Sequence, residues 1–136
     1  MSKSYNVFVS HSWNYNNEYE NLIKLLEKDP YFNFKNYSVP KNDPIHNANN
    51  ATELKQAIEK QIIPCSVILI LAGVYASYSK WIDKEIEISK KYPNTKKIIA
   101  IEPYGAERTS KVVKDNAHKV VKWNSSSIID AIKDLG

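Results

Sequence analysis

The stretch SYSKWIDKEIEIS, residues 77–89, carries three carboxylates, Asp83, Glu85 and Glu87. On a helical wheel at about 100° per residue with Trp81 at zero, Ile88, Trp81, Tyr92, Ser89, Ile82 and Ile86 share one arc of roughly 160°. Lys84, Lys90, Lys91, Asp83 and Glu87 fill the opposite arc and read as a solvated face. Glu85 falls at about 40°, inside the apolar arc, and it is the only charge there. A carboxylate on a core-facing stripe costs several kcal/mol unless it is paired or hydrogen-bonded. It therefore has one of two roles. Either it caps a backbone group or pairs with a lysine from elsewhere in the core, or it stands at the edge of a cleft to meet a developing positive charge. Spacing alone leaves the two readings level.

The elements that must position Glu85 can be read from periodicity. YNVFVS (5–10) is a short β-branched and aromatic strand. Tyr19, Leu22, Ile23 and Leu26 recur at helical spacing, which predicts a helix over 17–28 that Asp29-Pro30 stops. FNFKNYSV (32–39) alternates and predicts a second strand, and PKNDPIHNANN (40–50) has loop composition. Asn50 and Glu53 resemble a capping box opening a helix over 51–62. SVILILA (66–72) is apolar without alternation, as expected of a strand covered on both faces. The helix of Glu85 follows over 79–92. KKIIAIEP (96–103) and HKVVKW (118–123) are strands, KVVKDNA a short helix between them, and SSSIIDAIKDL the closing helix. Strict alternation of strands and helices predicts one α/β domain over 1–136 with a parallel sheet. The flavodoxin-like order 2-1-3-4-5 is the default for five strands. Ligands in such folds bind at the carboxyl ends of the strands. That rule selects Ser10–Trp13, the 40–50 loop, Gly73–Ser79 and Glu102–Tyr104.

Several tenants of this fold are excluded. The first turn, SHSWNYNN, has no glycine, and the chain holds only three glycines. That argues against a dinucleotide-binding Rossmann turn and against a P-loop, both of which need close backbone approach to phosphate. Leu71-Ala72-Gly73 stands where a phospho-acceptor aspartate would be required at the end of the third strand. His11, His46 and His118 lack metal-ligand spacing, so no metal site is expected. His11 next to Ser12 is adjacency and defines no catalytic triad. The charge of +4 and the pI near 9.0 come from scattered lysines with Arg108 as the only arginine, which does not suggest nucleic acid. VILILAGVYA (67–76) is about half the ~20 residues a membrane span needs, and no secretory leader is visible. The single cysteine, Cys65, reads as a small buried hydrophobe. A cytoplasmic protein is expected.

Three segments together resemble the TIR-domain superfamily, in particular bacterial TIR-like proteins of Thoeris antiphage defence. NVFVSHSW resembles the opening TIR box. LKQAIEKQIIPCSVILILAGVYASYSKWIDKEIEIS resembles the central helix, strand and Ser-x-Trp-x-x-x-Glu pattern, here Ser79, Trp81 and Glu85. KKIIAIEPYG and KVVKW match the later strands. The loop SVPKNDPIHNANN lacks the Arg-Asp…Pro-Gly pattern of many TIR domains. The resemblance implies that Glu85 is catalytic and that NAD⁺ is a substrate, with no cofactor, cleaved at its nicotinamide–ribose bond. It also implies a cyclic ADP-ribose isomer as product, a separate effector protein that responds to this signal, and self-association. Ser10, His11 and Ser12 are then expected to hydrogen-bond ribose or phosphate. Trp13, Tyr75 and Trp81 would wall flat rings, with Ser79 beside them. The rival expectation is a non-catalytic adaptor of the same fold with a structural Glu85. A nucleoside deoxyribosyltransferase-type enzyme is a third, weaker reading.

Overall fold

The computed structural model describes residues 4–10, 19–37, 51–73, 80–92, 94–102 and 109–136. Within them lie β1 (Ser4–Val9), α1 (Tyr19–Glu27), β2 (Asn33–Tyr37), α2 (Ala51–Ile62), β3 (Val67–Leu71), α3 (Lys80–Lys90), β4 (Lys97–Ile101), α4 (Lys111–Asn116), β5 (Lys119–Val121) and α5 (Ser125–Leu135). Every element predicted from periodicity is present, with ends displaced by a residue or two. The strands form one sheet in the order β2-β1-β3-β4-β5, with every pairing parallel. This is the expected flavodoxin-like arrangement.

Period-two alternation explains why the central strands read as unbroken apolar runs. Val67, Leu69 and Leu71 of β3, with Val7, Val9, Ile99 and Ile101, pack under α1 and α5 through Leu22, Leu26, Ile128, Ile129 and Ile132. Ile68, Ile70 and Ala72, with Phe8, Ile98 and Ala100, pack under α2, α3 and α4 through Ile58, Ile62, Ile82, Ile86, Ile88 and Val113. Each residue of β3 thus meets one of two separate cores, and neither side of that strand can be polar. Cys65 belongs to the second core, where burial pushes its thiol up to about 12 and its Sγ donates to the Gln61 carbonyl at 3.3 Å. That matches the inert role expected of it.

Strand β5 is shorter than the predicted 118–123, and its later start has a visible reason. The backbone N–H of Ile98 donates to the imidazole Nδ1 of His118 at 3.0 Å, and the His118 N–H returns a bond to the Ile98 carbonyl at 2.8 Å. A side chain therefore replaces the strand carbonyl at this corner, and the ladder begins only at Lys119. Among the described residues no helix is long and apolar enough to cross a membrane.

Candidate active site

Ser10 lies one residue beyond β1, but its backbone still follows the sheet, because its N–H donates to the Leu69 carbonyl of β3 at 3.0 Å. Alternation along β1 sends Val7 and Val9 to the α1/α5 side and Phe8 to the other. Ser10 continues the parity of Phe8, so its side chain faces α3. There its Oγ donates to Oε1 of Glu85 at 2.5 Å, at the short end of the roughly 2.5–2.7 Å typical of a hydroxyl on a carboxylate. Glu85 is 0% exposed and Ser10 2%. One turn further along α3, buried Ser89 spends its hydroxyl proton on the Glu85 carbonyl at 2.7 Å. Among the described residues no buried side-chain nitrogen or oxygen lacks a hydrogen-bond partner.

The rest of α3 divides as the wheel predicts. Ile82, Ile86, Ile88 and Ser89 are buried and Trp81 and Tyr92 half-buried, whereas Asp83, Glu87, Lys90 and Lys91 are exposed. Glu87 Oε1 meets Lys55 of α2 at 2.9 Å, and Glu59 of α2 meets Lys91 at 3.0 Å. The hydrogen bond from Lys55 holds the Glu87 carboxyl below its usual range, and that from Lys91 does the same for Glu59. Such exposed pairs tie α2 to α3 weakly. The three carboxylates of the helix thus have different surroundings, and only Glu85 is enclosed.

The position of the Ser10–Glu85 pair in the fold is informative. Strand order reverses between β1 and β3, and open α/β sheets bind ligands at the carboxyl ends of the strands at such a reversal. Ser10 directly follows β1 there. Trp81, four residues before Glu85 on the same helix face, packs against the α2/α3/α4 core. His11, Ser12, Trp13, Tyr75, Ser79, Tyr104 and the 40–50 loop, including Asn50 of the expected capping box, lie outside the described residues. Of the predicted site residues, the structure therefore brings together Glu85 and Ser10 and places Trp81 one turn before Glu85 on α3.

Sequence reasoning selected Gly73 and Glu102 at the same edge but missed the residues that meet them there. Thr109 forms an antiparallel bridge with Gly73, and the Ser110 N–H donates to the Ala72 carbonyl at 2.9 Å, so the chain returns to the end of β3. Glu102, at the end of β4, accepts from Lys114 at 3.4 Å, and Lys114 also reaches Thr109 at 3.2 Å. A serine directly before KVVKDN signals a helix start, and Ser110 does cap α4 through the Val113 N–H. Nothing local signals the bridge to Gly73. Among the described residues no group of three His, Cys, Asp or Glu side chains is arranged to hold a metal. An open groove of about 580 Å³ lies between the Lys28–Tyr31 turn and the first turns of α5. It is on the opposite face of the sheet from Glu85 and contains none of the predicted site residues.

A flavodoxin-like α/β sheet with a buried carboxylate at its point of reversal is the class of protein defined here. Residues 8–108 match the family model described as "Thoeris protein ThsB, TIR-like domain". The chain belongs to that family. The match spans both Ser10 and Glu85 and ends before α4, β5 and α5. No curated protein matches the chain.

Proposed function

We propose that the protein is an NAD⁺-consuming enzyme that cleaves the nicotinamide–ribose bond and releases a cyclic ADP-ribose isomer, a signal read by a separate effector protein. The observation that carries this reading is the Glu85 carboxylate, buried and bonded to Ser10 where strand order reverses, in a chain of the Thoeris TIR-like family. As the glycosidic C–N bond breaks, its electron pair leaves with nicotinamide, which departs as a neutral molecule. The ribose is left with oxocarbenium character. A fixed carboxylate in a site shielded from water stabilises that cation, so one glutamate suffices without a strong general acid. Cyclisation then requires water to be kept out until a nucleophile from the same ADP-ribose attacks the anomeric carbon.

One observation favours a second reading, a non-catalytic interaction module. Glu85 is entirely covered, and a carboxylate that meets no ligand is a structural group. Cleavage demands that its cover give way when NAD⁺ binds. Incubation with NAD⁺ and mass spectrometry of the products, for wild type and Glu85→Gln, separates the readings. Wild type is expected to release nicotinamide and Glu85→Gln to lose at least about a hundredfold in rate, the scale of removing one preorganised electrostatic group. Absence of nicotinamide release, even in lysate from phage-infected cells, selects the interaction module. Activity retained by Glu85→Gln overturns the site, and linear ADP-ribose as sole product removes the cyclising step.

A further inference from the structure

We propose that Ser10 is a positioning residue, which fixes the Glu85 carboxylate from the end of β1 and does not donate to a substrate phosphate. This rests on the NAD⁺-cleaving reading for its chemistry, but its geometry stands apart from it. A glutamate on a helix keeps several rotatable bonds, and holding one rotamer costs conformational entropy. Nothing in the periodicity of α3 fixes where the carboxylate of Glu85 points. The group that holds it comes from a different element, 75 residues away in sequence. That group is itself anchored, since Ser10 is 2% exposed and its backbone N–H is bound to Leu69 of β3 at 3.0 Å. Carboxylate and sheet edge are therefore registered to one another by the Ser10 hydroxyl.

A serine hydroxyl owns one proton, and here that proton is given to Glu85 Oε1. It is therefore not available to a phosphate oxygen, which can only accept. Ser89 provides an internal contrast. It is a second buried serine on the same helix, but its proton is committed to the Glu85 backbone carbonyl, so it shapes the helix and leaves the carboxylate alone. Of the two, only Ser10 can set the direction from which a cationic ribose would meet the charge, and small misplacements of such a group are costly to rate.

Two measurements test this on the full chain. The first is the ¹³Cδ resonance of Glu85 in protein labelled at glutamate, assigned by its loss in Glu85→Gln. Ser10→Ala is expected to shift that resonance, and an unmoved resonance overturns the proposal. The second is steady-state kinetics with NAD⁺. Ser10→Ala is expected to lower kcat about 10–100-fold with KM within about twofold, the pattern of an interaction made only in the transition state. Ser10→Thr, which restores a hydroxyl donor, is expected to recover much of the loss. A raised KM with unchanged kcat would make Ser10 a substrate contact and overturn the proposal. Ser10→Cys, nearly isosteric and a weak donor, carries the same comparison should the alanine variant not fold. If wild type releases no nicotinamide while the resonance still moves, the positioning role stands and the NAD⁺ reading alone falls.

Discussion

On the α1/α5 side of the sheet, the fully buried side chains of the described residues are hydrocarbon: Val7, Leu22, Leu26, Leu69, Ile128 and their neighbours. The α2/α3/α4 side packs an equally apolar set around Phe8, Ile68 and Ile88 but also encloses Glu85, Ser10 and Ser89. Lys96 is tucked in at its amino edge, where Nζ donates to the Ile63 carbonyl at 2.6 Å, and Ser110 caps α4 at its carboxyl edge. One sheet thus supports a core that serves stability alone and a core that carries polar groups, each satisfied by a specific partner. The difference shows what a buried carboxylate requires. It is tolerated where a hydroxyl from another element meets it, and natural chains accept such local departures from apolar packing at functional sites.

The largest expected effect probes what the two faces share. Ile68 and Leu69 are neighbours in β3 that point to opposite cores, and both are fully buried. Truncation of either to alanine is expected to cost about 2–5 kcal/mol of unfolding free energy with the denaturant slope unchanged. A cost confined to one of them would break the picture of two independent cores. A smaller effect sharpens what distinguishes the faces. The double variant Ser10→Ala/Glu85→Met removes the polar pair and leaves an apolar filling of similar volume. It is expected to change stability by no more than about 2 kcal/mol, in either direction, because replacing a buried charged group together with its partner by hydrocarbon is often neutral or stabilising. A much larger loss in thermal unfolding would mean that the polar pair holds the fold together, and the face would differ from its opposite for structural reasons.

The smallest effect concerns His118, at the α4/β5 corner of the polar face. Partial desolvation of the ring of this otherwise exposed residue, and then the charge of Lys97, hold its imidazole below the ordinary value of 6.5. The neutral ring accepts from Ile98 N–H, a bond that protonation of Nδ1 abolishes. Between the folded pKa and 6.5 the unfolded chain binds more protons than the native one, so stability rises with pH through that window. The contribution is complete above 6.5 and is lost as pH falls. Chemical denaturation from pH 7 downward is expected to show a steeper loss for wild type than for His118→Asn. Equal slopes would mean that the ring does not hold the corner.

The sequence by itself determined which segments form strands and helices, because alternation and helical spacing are local properties. VILIL at 67–71 announced a doubly covered strand, and the wheel isolated Glu85 from Asp83 and Glu87 without any knowledge of the fold. The family pattern was legible too, in Ser79, Trp81 and Glu85. Tertiary structure alone decided what Glu85 touches. Ser10 meets it because β1 and β3 are parallel neighbours with Val9 opposite Leu69, and because strand parity turns the residue after Val9 toward α3. Neither relation is written within a window of a few residues. The bridge from Thr109 to Gly73 and the imidazole that takes a strand's hydrogen bond were illegible for the same reason. Periodicity reports which side of an element is buried, whereas the identity of the partner depends on how distant elements are brought into register.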